Sequence, residues 1–126
     1  MAFIFKNPNP QNNLTGDCVI RAISILENKD WDDVLLELTI QSYMMKDILS
    51  SNNVWSNYLW QHGYERMIIP NTCPNCYTIE QFTRDYPKGE YLLATGTHVV
   101  AVIDGNYFDT WDSGHEVPIY YWRKEE

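Results

Sequence analysis

The chain has 126 residues, 44% hydrophobic and 14% aromatic, enough to build one core and too apolar for intrinsic disorder. Its formal charge of −8 and isoelectric point near 4.7 argue against non-specific binding to nucleic acid or an anionic membrane, since both call for basic patches. No apolar run approaches the ~20 residues of a membrane helix, so we expect residues 1–126 to form one soluble domain, its acidic surface serving solubility or a basic partner or substrate.

Residues 1–6, Met-Ala-Phe-Ile-Phe-Lys, are apolar but too short for a signal peptide, and no small-residue cleavage site follows them. Three cysteines do not make a disulfide framework, and an odd count fits a reducing compartment. The expected location is therefore cytoplasmic. Residues 7–17 are dense in Asn, Pro and Gly and predict a loop. The apolar run over 18–26 predicts a helix, with Val19, Ala22, Ile23 and Leu26 on one stripe and Ile20 and Ile25 off it. A helix apolar nearly all round is a buried one. Asp17, Gly16 and Thr15 are its candidate caps. A second helix is expected over 30–46, with Trp31, Val34, Leu35 and Leu38 on one face, and a third over 53–62, closed by Gly63.

The second half reads differently. Residues 65–69 predict a short strand that stops at Pro70. Thr78-Ile79-Glu80-Gln81 matches a capping box and starts a short helix to about residue 86. After the Pro87-Lys88-Gly89 turn, strands are expected over 90–95, 98–103, 107–111 and 117–123. Helices first and a short antiparallel meander last make an α+β fold.

Cys18 stands where the buried helix begins, where unpaired N–H groups and the helix dipole favour a thiolate, the nucleophilic form. A buried free cysteine is also an ordinary small hydrophobe. His98 opens the apolar strand His-Val-Val-Ala-Val-Ile after Thr95-Gly96-Thr97. Such a strand start is rigid and lies beside a gap, as a general base requires. The acid follows from parity. With Asp104-Gly105 as a two-residue turn, Ile103 pairs Asn106 and Val100 pairs Asp109, which puts Asp109 diagonal to His98 on the same face. A three-residue loop would instead favour Asp112.

The order Cys18, His98, Asp109 resembles the papain-like superfamily, in which a cysteine starts a central helix and histidine and acid lie on adjacent strands of a following sheet. Asp109-Thr110-Trp111 is similar to the Asn-Ser-Trp of those enzymes. Gln11, Asn12 and Asn13 occupy the region where that family carries its oxyanion-binding Gln, and Asn12 has the six-residue spacing to Cys18. The short span from His98 to Asp109 and the Gly-Asp-Cys start of the helix look more like compact bacteriocin-leader peptidases and related bacterial or phage-encoded proteins. The resemblance covers residues 12–25 and 96–114. The Gln itself, a Gly-Ser-Cys-Trp signature and a substrate-binding lobe are missing. It implies a central N-terminal helix carrying Cys18 packed on a C-terminal antiparallel sheet. It also implies a cysteine hydrolase of a peptide, isopeptide or side-chain amide, with Cys18, His98, Asp109 and Asn12 in the site and no cofactor or metal. Protease, deconjugase, transglutaminase and deamidase share that machinery. The alternative is a catalytically silent module on the same scaffold that binds a peptide or partner protein.

Cys73-Pro74-Asn75-Cys76 is left over. A CxxC is half of a zinc site, a redox pair or a structural feature. No second CxxC completes a tetrahedral site, and only part of the thioredoxin-like context is present, so the structural reading leads. His62 and His115 are expected at a helix C-terminus and on the surface.

Overall fold

The structure, a computed structural model, describes residues 2–124, so residues 1, 125 and 126 of the single-domain reading lie outside the described residues. In chain order the elements are β1 (Ala2–Phe5), α1 (Cys18–Glu27), α2 (Trp31–Met45), α3 (Asn52–Gln61), β2 (Tyr64–Ile68), α4 (Ile79–Asp85), β3 (Glu90–Ala94), β4 (Val99–Ile103), β5 (Asn106–Asp109) and β6 (Tyr120–Lys124). This is the expected α+β class.

Local chemistry accounts for the boundaries. Asn28 and Lys46 adopt left-handed backbone at φ 53° and 56° and close α1 and α2, a conformation Asn tolerates well. The Ser51 side chain accepts from the Asn53 N–H and starts α3. Thr78 and Gln81 form the capping box of α4. The next two N–H groups of α4, from Ile79 and Glu80, donate to the carbonyls of Glu116 and Gly114, which binds the loop after β5 to this helix. Asp104 and Gly105 both take positive φ (49° and 78°), the type I′ turn that matches the twist of a hairpin.

The sheet differs from the expected C-terminal antiparallel meander. It is mixed and six-stranded, in the order β1-β5-β4-β3-β6-β2. β1 pairs parallel with β5 at one edge, and β6 leaves β5 to pair with β3 and β2. Strand pairing is non-local. The run of 110–119 is long enough to carry β6 across the sheet, and the free edge of β5 then accepts the N-terminal segment. β5 stops at Asp109, whose carboxylate accepts the N–H of Thr110 and turns the chain out of the ladder. β6 starts after Pro118, which has no N–H for a ladder.

Strand parity divides the core. Leu92, Ala94, Val99, Ala101, Tyr120 and Trp122 face α1, α2 and α3. Leu93, Val100, Val102, Tyr107 and Tyr121 face α4. β4 lies mid-sheet between helical layers, which is why it reads as an unbroken apolar run. α1 is buried at every position from Val19 to Leu26, including Arg21 and Ser24.

Tyr107 donates to the Asp112 carboxylate (2.5 Å), which also accepts from Gly114 N–H (3.0 Å). A Cβ at Gly114 would overlap the Tyr107 hydroxyl and lie 2.7 Å from its Cζ. Gly114→Ala should therefore displace Tyr107 and destabilise the protein by about 1–3 kcal/mol, read from urea unfolding. In a Tyr107→Phe background, where the overlapping hydroxyl is gone and only the Cζ contact remains, the same change should cost less.

Candidate active site

β4 begins and β5 ends at the same end of the sheet, opposite the Asp104-Gly105 turn, and the N-terminus of α1 packs beside them. Ile103 pairs Asn106, the register expected for a two-residue turn. His98 is held at the mouth of β4 by a tight reversal through Gly96 (φ 102°): the Thr95 N–H donates to the His98 carbonyl (2.8 Å) and the His98 N–H to Thr95 Oγ1 (3.2 Å). Its Nε2 lies 2.6 Å from Asp109 Oδ2. Its ring also hydrogen-bonds the Cys18 thiol, and because Nε2 is engaged, Nδ1 is the nitrogen left for the sulfur. The indole of Trp111 packs on the imidazole at 5.1 Å between centroids.

The carboxylate of Asp109 is 2% exposed and receives a ring of donors. Oδ1 accepts from Thr110 N–H (2.8 Å) and Arg21 Nη2 (3.2 Å). Oδ2 accepts from Ser113 Oγ (2.8 Å) besides His98. Burial pushes Asp109 up, but the His98 bond and charge, Ser113 and Thr110 outweigh it and hold the carboxyl below its usual range. Burial likewise lowers His98, yet bonds to Asp109 and Cys18 carry it up to about 9. Burial raises the Cys18 thiol, while bonds from His98 and from the Val99 N–H, with the His98 and Arg21 charges, bring it below its ordinary value. Both shifts favour the thiolate–imidazolium form of the pair.

Asp17 is the N-cap of α1, yet its side chain makes no cap bond. Its carboxylate is turned instead to Arg21 and to Trp31 Nε1 (2.9 Å). The first-turn N–H groups beside Cys18 are therefore not covered by their own cap residue.

A cleft of about 160 Å³ adjoins Cys18 and His98, lined also by Ser50, Asn52, Trp55, Gly96, Thr97 and Tyr120. Asn52 Oδ1 accepts from Trp55 Nε1 (3.1 Å). Asn12 is exposed, with φ 57°, and its N–H donates to the Asn9 carbonyl (2.9 Å); it does not line this cleft. Asp112 serves Tyr107 and Gly114 and not His98. Cys73 and Cys76 are joined as a disulfide and Cys18 is free. Among the described residues, no group of three or more His, Cys, Asp or Glu is placed to hold a metal. No helix among them is long and apolar enough to cross a membrane. His62 stacks on Tyr58 at 4.0 Å at the end of α3, and the side chain of His115 is 77% exposed.

Compared with protein-family models, curated proteins and solved structures, the chain shows no match. The site thus rests on its geometry, which brings together Cys18, His98 and Asp109 and leaves Asn12 on the surface. Arg21 and Ser113 were not read from the sequence as site residues, and Asp17 was read only as a candidate cap. A signal existed for two of them: an Asp and an Arg four residues apart, the Arg interrupting an otherwise apolar run.

The unreduced protein should take up one equivalent of iodoacetamide, at Cys18, and His98→Ala should slow this about tenfold or more at neutral pH. The wild-type rate should already be high below the pH at which an ordinary thiol ionises. Intact-mass spectrometry over a pH series reads both; an unchanged rate in His98→Ala would contradict the thiolate–imidazolium pair.

Proposed function

We propose that the protein is a cysteine hydrolase that cleaves a peptide, isopeptide or side-chain amide through a thioester, on a papain-like arrangement. The observation that carries this reading is the hydrogen-bonded series Cys18–His98–Asp109, with acid and base each fixed from more than one side.

In this mechanism the Cys18 thiolate attacks the carbonyl carbon. The resulting oxyanion lies near the uncapped N–H groups at the start of α1, the Cys18 N–H among them. The His98 imidazolium gives its proton to the departing nitrogen as the C–N bond breaks, which leaves a thioester on Cys18 and a free amine. Water then enters, His98 takes its proton, and collapse of the second tetrahedral species releases the carboxylic acid and restores the thiolate. Asp109 stays ionised in both steps and takes no proton: it holds the His98 ring and stabilises the imidazolium. The cleft carries no charged side chain besides Cys18 and His98 themselves, which suits a neutral substrate segment. One feature favours the second reading, a silent peptide-binding module: Asn12, the side-chain oxyanion donor that the family resemblance implies, stands outside the cleft.

Peptidyl vinyl sulfones of varied sequence separate the two. The hydrolase should acquire one adduct at Cys18. Asp109→Ala should slow adduct formation about 10²–10⁴-fold, the scale of general acid–base assistance, while Asp112→Ala should leave it within a few-fold. Peptides that bind without any adduct at Cys18 would favour the silent module.

A further inference from the structure

We propose that Arg21 is a positioning residue for this reaction: it ties the Asp109 carboxylate to the helix that carries the nucleophile and thereby fixes the orientation of His98. The inference rests on the hydrolase reading above. Arg21 lies one turn after Cys18 on α1 and is 6% exposed, in a segment otherwise apolar apart from Ser24. Burying a guanidinium costs several kcal/mol unless its donors are met. Here they are. Nη1 donates to Asp17 and to the Thr15 carbonyl (3.4 Å), and Nη2 donates to Asp109 Oδ1 (3.2 Å), 88 residues away in the chain.

The geometry explains why this position is arginine. The planar fork reaches two carboxylates at once, one on each side, which the point charge of a lysine does not do. With Oδ1 held by Arg21 and the Thr110 N–H, and Oδ2 by Ser113, the plane of the carboxylate is set from both ends, and Oδ2 faces His98 Nε2. One rigid helix thus places the sulfur and orients the acid. The titratable or charged groups around the pair are Asp17 at the N-cap of α1, Cys18 and Arg21 on α1, Asp109 on β5, Tyr120 on β6, and Lys6 after β1, whose backbone N–H bonds the Asp109 carbonyl (3.0 Å).

The test is the pH dependence of Cys18 alkylation by iodoacetamide, together with the His98 titration followed by NMR, in the full chain. The variants are Arg21→Lys and Arg21→Met, each first shown to be folded by circular dichroism. If Arg21 positions, losing its fork frees Asp109 to turn. The His98 pKa then falls from about 9 by a unit or more, while that of Cys18 rises, so the two shift in opposite directions. Arg21→Lys keeps the charge yet should show these opposite shifts, and it is the variant read if Arg21→Met does not fold. If Arg21 is only a charge, removing it raises both values together and Arg21→Lys restores them. That result, or variant profiles that overlay the wild type, overturns the proposal. A wild-type profile with no fast, His98-dependent alkylation would instead overturn the hydrolase reading, so the two failures are distinguishable.

Discussion

A carboxylate buried at the end of a strand is the constraint around which this end of the molecule is arranged. Asp109 is almost without solvent, and an ion there costs several kcal/mol unless its lone pairs are met. Its four donors come from three stretches of chain: Arg21 from α1, His98 from the mouth of β4, Thr110 and Ser113 from the segment that leaves β5. Satisfying one side chain therefore fixes the approach of α1 to the sheet and ends β5. It also starts the turn whose next residues, Gly114 and Glu116, receive the first N–H groups of α4. The two helical layers on opposite faces of the sheet are coupled through this corner.

What was legible in the sequence follows the range of the physics. Features set by neighbours in the chain could be read: the capping box at Thr78, the buried character of α1, the Asp104-Gly105 turn and hence the register that pairs Ile103 with Asn106. Strand order could not be read. Whether β6 pairs with β5 or crosses to β3 depends on the long connection over 110–119 and on which edge buries more surface, and neither has a local signature. β1 was hidden for the same reason. A four-residue apolar segment carries no period to distinguish it from an unstructured end until β5 offers an open edge.

α2 shows a further limit of periodicity. Its inward face buries Val34 and Leu38, as the spacing implies. Its outward face also carries Leu36, Ile40, Tyr43 and Met44, each more than half exposed. Two apolar stripes on one helix weaken the contrast on which a face assignment depends. The assignment held because Trp31 and Leu35 join the core while Asp32 and Asp33 occupy solvent at the first turn, where the helix dipole favours them.

Arg21 was passed over in the sequence because a single cation in an apolar run reads as an interruption, yet it joins the acid of the site to the helix of the nucleophile. Asp17, Arg21 and Asp109 together carry one net negative charge in a region almost free of water. A protonated His98 cancels it. Deprotonating the ring would take away the cation that faces Asp109, and the bonds to Asp109 and Cys18 outweigh burial and carry His98 up to about 9. Without Arg21 the imbalance would be larger and Asp109 would be free to rotate away; without Asp17 the fork would lose one of its ends. The thiol then ionises beside a cation already present, at a helix start whose own N-cap carboxylate has been turned away to Arg21 and Trp31. Placing that carboxylate on Arg21 and not on the first-turn N–H groups leaves the positive end of the helix dipole to Cys18 alone.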